Sequence, residues 1–158
     1  MNTKQRQKKP RLKKRSWYTN RLEDIAKNLA KQRDGNTCLK CGKRVGTKNS
    51  HGSHIIPKSK GLRFLFDVRN IKCLCYHCHI NWWHKDPHEA GVWFSEYLGG
   101  HWARETERTR NEVLEISTAS LAEFYEMAKS VSSHIEYEIL FDKMIRPNIR
   151  ESHEEVTG

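Results

Sequence analysis

Two Cys-x-x-Cys pairs constrain this chain more than any other feature: Cys38 and Cys41 in CLKCG, and Cys75 and Cys78 in CYHC. A Cys-x-x-Cys followed by Gly is a tight turn that lets two thiolates point at one ion. Two such pairs complete a closed, tetrahedral zinc site. The same cysteines would suit disulfides in an exported miniprotein, but the basic N-terminus lacks the apolar stretch of a secretory signal. A reducing cytoplasmic setting and a metal therefore fit better. Cys73, His77 and His79 crowd the second pair in CLCYHCH and are rival ligands. The repeated spacing selects the four paired cysteines and leaves Cys73 as a buried spare thiol, with His77 facing away. Residues are 36% hydrophobic and 30% charged, so the core is modest, and metal binding is expected to supply part of the folding free energy.

At 158 residues the chain is the size of one domain with extensions. Its net charge of +10 is concentrated in an arm, residues 1–16, which holds eight Lys or Arg, among them Lys8, Lys9, Arg11, Lys13, Lys14 and Arg15, and no acid. So polar a segment cannot offset its ordering entropy and is expected to be disordered. It could attach to nucleic acid phosphates or serve only to keep the chain soluble. Leu22, Ile25, Ala26 and Leu29 recur at helical spacing and predict a helix over 17–35, with Glu23 and Asp24 complementing its dipole and Asp34–Gly35 ending it. Trp17 and Tyr18 read as core residues. No apolar run approaches a membrane span.

Between the pairs lie 33 residues, too many for a compact zinc ribbon, so something must fold inside the loop. SHGSHIIPKSKG reads as a strand ended by Pro57, Ser59 and Gly61, with His51 and Ser53 on one face and His54 and Ile56 on the other. LRFLFDVRN then supplies Asn70, and His79 follows Cys78 directly. Lys58, Lys60 and Arg63 follow the strand and could hold a nucleic acid backbone. Downstream, Val92, Trp93, Tyr97 and Leu98 form a helix that the Gly99–Gly100 pair ends. Trp82, Trp83, Trp93 and Phe94 read as packing residues, with stacking on unpaired bases as the alternative. Residues 101–146 are expected to be helical. One helix runs through ARETERTRNEVLEI, and a capping box at Ser120–Glu123 opens a longer one whose stripe is Leu121, Phe124, Ala128, Val131 and Ile135. That stripe either folds back or forms a homodimer seam. Pro147 ends the order, leaving residues 147–158 as a polar tail.

CLKCG, GSHIIPKS and LRFLFDVRNIKCLCYHCH, continuing into WWHKDPHEAGVWFSEYLG, resemble the HNH (ββα-metal) endonucleases, in particular the zinc-containing phage type that includes the NinG recombination proteins. The resemblance implies an α+β fold. A small ββα-metal domain over 36–100 would carry a four-cysteine zinc knuckle and be flanked by N- and C-terminal helices. Carried over, His54 matches the general base, Asn70 the asparagine that fixes the loop, and His79 a ligand of a catalytic Mg²⁺ or Mn²⁺. Ser53 stands where many relatives have a second ligand, which turns attention to His51 on the same strand. His84, five residues after His79, is a further candidate, less squarely placed on an α-helix than a residue four along; His88 reads as a surface residue. The implied function is phosphodiester hydrolysis of duplex or branched DNA. The alternatives are a catalytically silent zinc module that binds nucleic acid, and, more weakly, an RNA-binding accessory protein.

Overall fold

The computed structural model describes residues 9–109 and 111–151. Lys8 of the basic arm and the end of the expected polar tail lie outside them. Helix α1 spans Arg15–Arg33 and starts two residues before the expected 17. Lys13–Arg15 therefore belong to the fold rather than to a free arm: the Lys13 amide donates to the Tyr18 hydroxyl at 3.3 Å, and Arg15 Nη1 donates to the Ile116 carbonyl at 2.7 Å. Lys9, Arg11, Lys13 and Lys14 precede the helix in irregular, exposed backbone. The helix ends where expected, with Gly35 at φ 60° and Asn36 at φ 51° reversing the chain.

Strands β1 (Ser50–His54) and β2 (Ile71–Cys75) pair antiparallel, with Ser50 opposite Cys75 and His54 opposite Ile71. The connection between them contains a short helix α2 (Leu62–Phe66) and two 3₁₀ turns, Lys58–Lys60 and Val68–Asn70. After β2 the chain enters α3 (Tyr76–Cys78), passes into a π-helical turn over His79–Trp83, and continues as α4 (Pro87–Thr109). Gly99, at φ 82° and ψ 169°, breaks α4. The helix resumes beyond the glycine pair that was expected to end it.

Four C-terminal expectations are corrected. The helix expected through ARETERTRNEVLEI stops at Thr109, and Glu112–Leu114 is a strand, β3. Its partner is β4 (Ile149–Glu151), inside the expected polar tail; Pro147 sits in the 3₁₀ turn Arg146–Asn148 that leads into it. The single long helix is two, α5 (Thr118–Ala128) and α6 (His134–Met144). Ser117, not Ser120, caps α5 by accepting from the Ser120 amide, and Ser133 caps α6 in the same way from Glu136.

The apolar stripe folds back. Leu121, Phe124 and Ala128 of α5 pack with Leu22, Ala26 and Leu29 of α1 and with Phe66, Val68 and Ile71, while Ile135 is left exposed. Each large side chain buried this way contributes about 1.5–3 kcal/mol, before entropy opposes it. Tyr137 of α6 is fully buried and donates its hydroxyl to the Phe66 carbonyl at 2.8 Å. Trp17 and Tyr18 pack edge-on, and both meet Tyr125. A smaller cluster of Cys38, Leu74, Cys75 and Cys78 is covered by Leu39, Val45, Trp82 and Trp83. Among the described residues no helix is long and apolar enough to cross a membrane.

Candidate metal centre and histidine groove

The ligand sulfurs of Cys38, Cys41, Cys75 and Cys78 all lie within 4.8 Å of one another, with 3.9 Å between Cys41 and Cys75. Four thiolates about 2.3 Å from one zinc ion would stand about 3.8 Å apart, so the set could hold a zinc ion. Local backbone builds it. The Gly42 amide donates to the Cys38 carbonyl at 2.9 Å in the knuckle turn, where Gly42 takes φ 71°. The Leu39 amide donates to the Cys73 carbonyl at 2.9 Å and fastens the knuckle to β2, and Cys75 Sγ accepts from the Cys78 amide at 3.4 Å. Burial, then the sulfurs of Cys75 and Cys38, push the Cys78 thiol far up. For Cys38 burial acts upward too, but backbone N–H groups of Cys41 and Cys75 outweigh it and lower the thiol. Such crowded thiols cannot all ionise without a cation. Cys73 stays outside the cluster: it is buried, its amide donates to Asp34 Oδ2 at 2.9 Å, and burial and the Asp34 charge push its thiol up to about 11. His77 is exposed and meets Asn81.

One residue beyond the cluster the donors change. His79 and His84 line a groove of about 390 Å³ together with Gly52, His54, Lys27 and Lys58. The π-helical turn decides this: the His84 amide donates to the His79 carbonyl at 3.0 Å, a step of five residues, and the two ring Nε2 atoms stand 2.9 Å apart. The unfavourable projection expected for His84 on an α-helix is removed by the wider turn, a feature common at functional sites. His51 flanks His79 with ring centroids 5.0 Å apart, and both line an adjoining groove of about 500 Å³. A separation of 2.9 Å is that of an N–H···N hydrogen bond, one ring donating to the other, and among the described residues no third side chain joins this pair in a group that could hold an ion. His79 Nδ1 is buried without a hydrogen-bond partner. Burial, then His84 and His51, lower its pKa to about 4, so its imidazole is neutral and offers a lone pair at ordinary pH. Ser53 is buried with its hydroxyl unpartnered and lines neither groove.

His54 lies at the end of β1, and its Nε2 is 2.9 Å from the Leu65 carbonyl. A carbonyl only accepts, so Nε2 carries the hydrogen and Nδ1 keeps its lone pair. Burial lowers the pKa of His54, with the Leu65 carbonyl and Glu23 acting against it. Asn70 holds the loop behind this ring. Its Nδ2 donates to the Ile56 carbonyl at 2.9 Å and the Phe64 carbonyl at 3.0 Å, and its Oδ1 accepts from the Ile56 amide at 2.8 Å. Asn70 thus spends its amide on backbone and positions the loop without lining the histidine groove.

Of the three basic residues after β1, Lys58 reaches the groove, while Lys60 lines a wider cavity of about 750 Å³ between the β1 turn and α4. Arg63 is corrected: only 6% exposed, it pairs with Glu112 and, at 3.8 Å, with Asp67, so it ties α2 to β3 and does not face a nucleic acid. Trp82, Trp83, Trp93 and Phe94 pack mainly edge-on beside the cysteines, with Lys40 over Trp82 and Trp93 at 4.6 and 4.7 Å. Glu23 is the site residue that sequence reasoning missed. It is buried on α1 with its Oε1 3.9 Å from His54 Nε2. Its signal was an acid set between Leu22 and Ala26 on the apolar face, which helix-dipole complementarity had seemed to explain.

Comparison of the chain with known protein families, with curated proteins and with solved structures finds no match.

Proposed function

We propose that this protein is a metal-dependent DNA endonuclease of the ββα-metal type, with a structural zinc in the four-cysteine cluster and its chemistry in the histidine groove. The observation that carries this reading is the convergence of His54, His79 and His84 on one groove at the junction of two strands and a helix. His54 Nδ1 takes a proton from water as the oxygen attacks phosphorus, a task suited to a neutral imidazole near pH 7. The Leu65 carbonyl fixes the ring, and the Asn70 clamp fixes the loop that carries that carbonyl. His79 and His84, with His51 beside them, would hold a divalent ion, Mg²⁺ or Mn²⁺. Such an ion supplies charge stabilisation at the phosphate and leaving oxygens when bound. Lys58 stands where it can meet a flanking phosphate, and the basic residues Lys9–Lys14 add sequence-independent attachment to duplex or branched DNA.

A second reading, a catalytically silent zinc module that binds nucleic acid, is favoured by one observation. Among the described residues no third ligand closes on the His79–His84 pair. The two separate on a panel of linear duplex, supercoiled plasmid, flap and four-way-junction DNA, with Mg²⁺, Mn²⁺ or EDTA. Zinc-loaded wild type is expected to cut only with the metal, and His54→Ala to cut about 10²–10⁴-fold more slowly with unchanged zinc content. Retention of DNA in a gel shift without cutting of any substrate would select the silent module.

A further inference from the structure

Glu23 is a buried carboxylate, 8% exposed, to which the reaction above gives no task. Burying an ionised acid is costly unless it is paired. Its Oε1 lies 2.7 Å from Lys27 Nζ, 3.2 Å from Lys58 Nζ and 3.9 Å from His54 Nε2. Burial pushes its pKa up, but the hydrogen bonds and charges of Lys27 and Lys58 outweigh this and hold it below the usual carboxylate range. Neither lysine needs a buried counter-ion, since Lys58 is 59% exposed and Lys27 32%. The approach of α1 to β1 is itself built in. A Cβ at Gly52 would stand 2.7 Å from Lys27 Cγ and 2.9 Å from Lys27 Cβ, so only glycine lets this helix lie against the strand that carries His54.

We infer that Glu23 is the positioning residue behind His54: a fixed negative charge on the ring edge bonded to Leu65, favouring the imidazolium formed when His54 takes a proton from water. This role rests on the nuclease reading of the groove. The proton goes to His54 Nδ1, Nε2–H stays on the Leu65 carbonyl, and Glu23 remains ionised throughout. The groups facing His54 are Glu23 and Lys27 from α1, Lys58 from the turn after β1, and His79 and His84 across the groove.

The test uses full-length zinc-loaded protein, with the His54 ring followed by NMR against pH and DNA cleavage measured in parallel. In Glu23→Gln two lysine charges face the imidazole unopposed, so its titration midpoint falls by about one unit or more. In Lys58→Gln, an exposed change that spares the fold, the midpoint rises. Cleavage by Glu23→Gln loses about tenfold in kcat with KM for DNA unchanged, and its acid limb moves to lower pH with the midpoint. A midpoint in Glu23→Gln that stays put or rises overturns the inference. So does an unchanged kcat when wild type cuts and His54→Ala does not. If wild type itself never cuts, the nuclease reading fails, and the two midpoints alone decide whether Glu23 couples to His54.

Discussion

Cys78 and His79 are neighbours in the chain, yet they belong to opposite kinds of site. The cysteine cluster converges: four like donors lie within 4.8 Å, three of them buried against Trp82 and Trp83 while Cys41 stays exposed. The histidine groove is open: two ring nitrogens meet at 2.9 Å, a third ring stands aside, one ring nitrogen is left unpartnered, and lysines line the wall. The first arrangement would fill every coordination position of a zinc ion with protein, which suits structure. The second, if it takes the ion proposed above, would leave positions for water and substrate, which suits chemistry. Sharing the β2–α3 junction makes the groove depend on the cluster, because the turn that presents His79 begins at a cysteine of the cluster.

The largest effect should come from removing one side of this comparison. Cys38→Ser is expected to lose one equivalent of zinc and the cooperative melting of the domain. Zinc binding of this kind contributes on the order of 10 kcal/mol, comparable with the roughly 5–15 kcal/mol that holds a domain together. Metal analysis and thermal melting measure it, and a variant that kept its zinc and its melting temperature would break the claim that the cluster is structural. Gly52→Ala acts on the groove instead. Its methyl would meet the Lys27 stem at 2.7–2.9 Å, so we expect about 1–3 kcal/mol lost in urea unfolding, as for other overpacked contacts, with zinc retained. Equal stability would mean that α1 is not seated against β1.

The smallest effect lies away from both sites. Asp142 on α6 bonds Arg69 at 2.8 Å and Arg146 at 3.0 Å. Burial acts to raise its pKa, but these two arginines outweigh it and leave the carboxyl below its usual range. A depressed pKa means stability that is present above the unfolded value and is lost as pH falls through the folded one. The pair is half-exposed, so Asp142→Asn should cost less than about 1 kcal/mol at neutral pH. The difference from wild type should vanish well below about pH 4. Urea midpoints at both pH values check this, and a difference that persists in acid would mean that Asp142 acts by shape rather than charge.

How much of this was legible in the sequence follows the range of the interactions. The cysteine pairing was readable because spacing alone specifies a local turn, and α1 because its apolar residues repeat at helical period. IKCLC was harder: buried at nearly every position, it shows no alternation to mark it as a strand. The strand at Glu112–Leu114 was hidden because its partner, Ile149–Glu151, lies far along the chain in a segment whose polarity suggested a tail. His54, Asn70 and His79 were singled out through their resemblance to a known order, and the fold brings His54 and His79 to one groove with Asn70 behind it. The placement of His84 beside His79 was missed because α-helical geometry was assumed where the chain makes a π turn. Arg63 and Glu23 were misread for one reason: the part a charged residue plays is hidden until the fold supplies its partner. Glu112 for Arg63, and His54 with two lysines for Glu23, are partners that only the fold supplies.

A Mn²⁺ titration of zinc-loaded protein, followed by electron paramagnetic resonance, decides whether a second metal site of different design stands beside the cysteines. We predict one bound Mn²⁺ per chain in wild type, lost in His79→Ala while the zinc content stays constant. No Mn²⁺ bound beyond the zinc, or the same Mn²⁺ bound with and without His79, would mean that the histidine groove holds no metal.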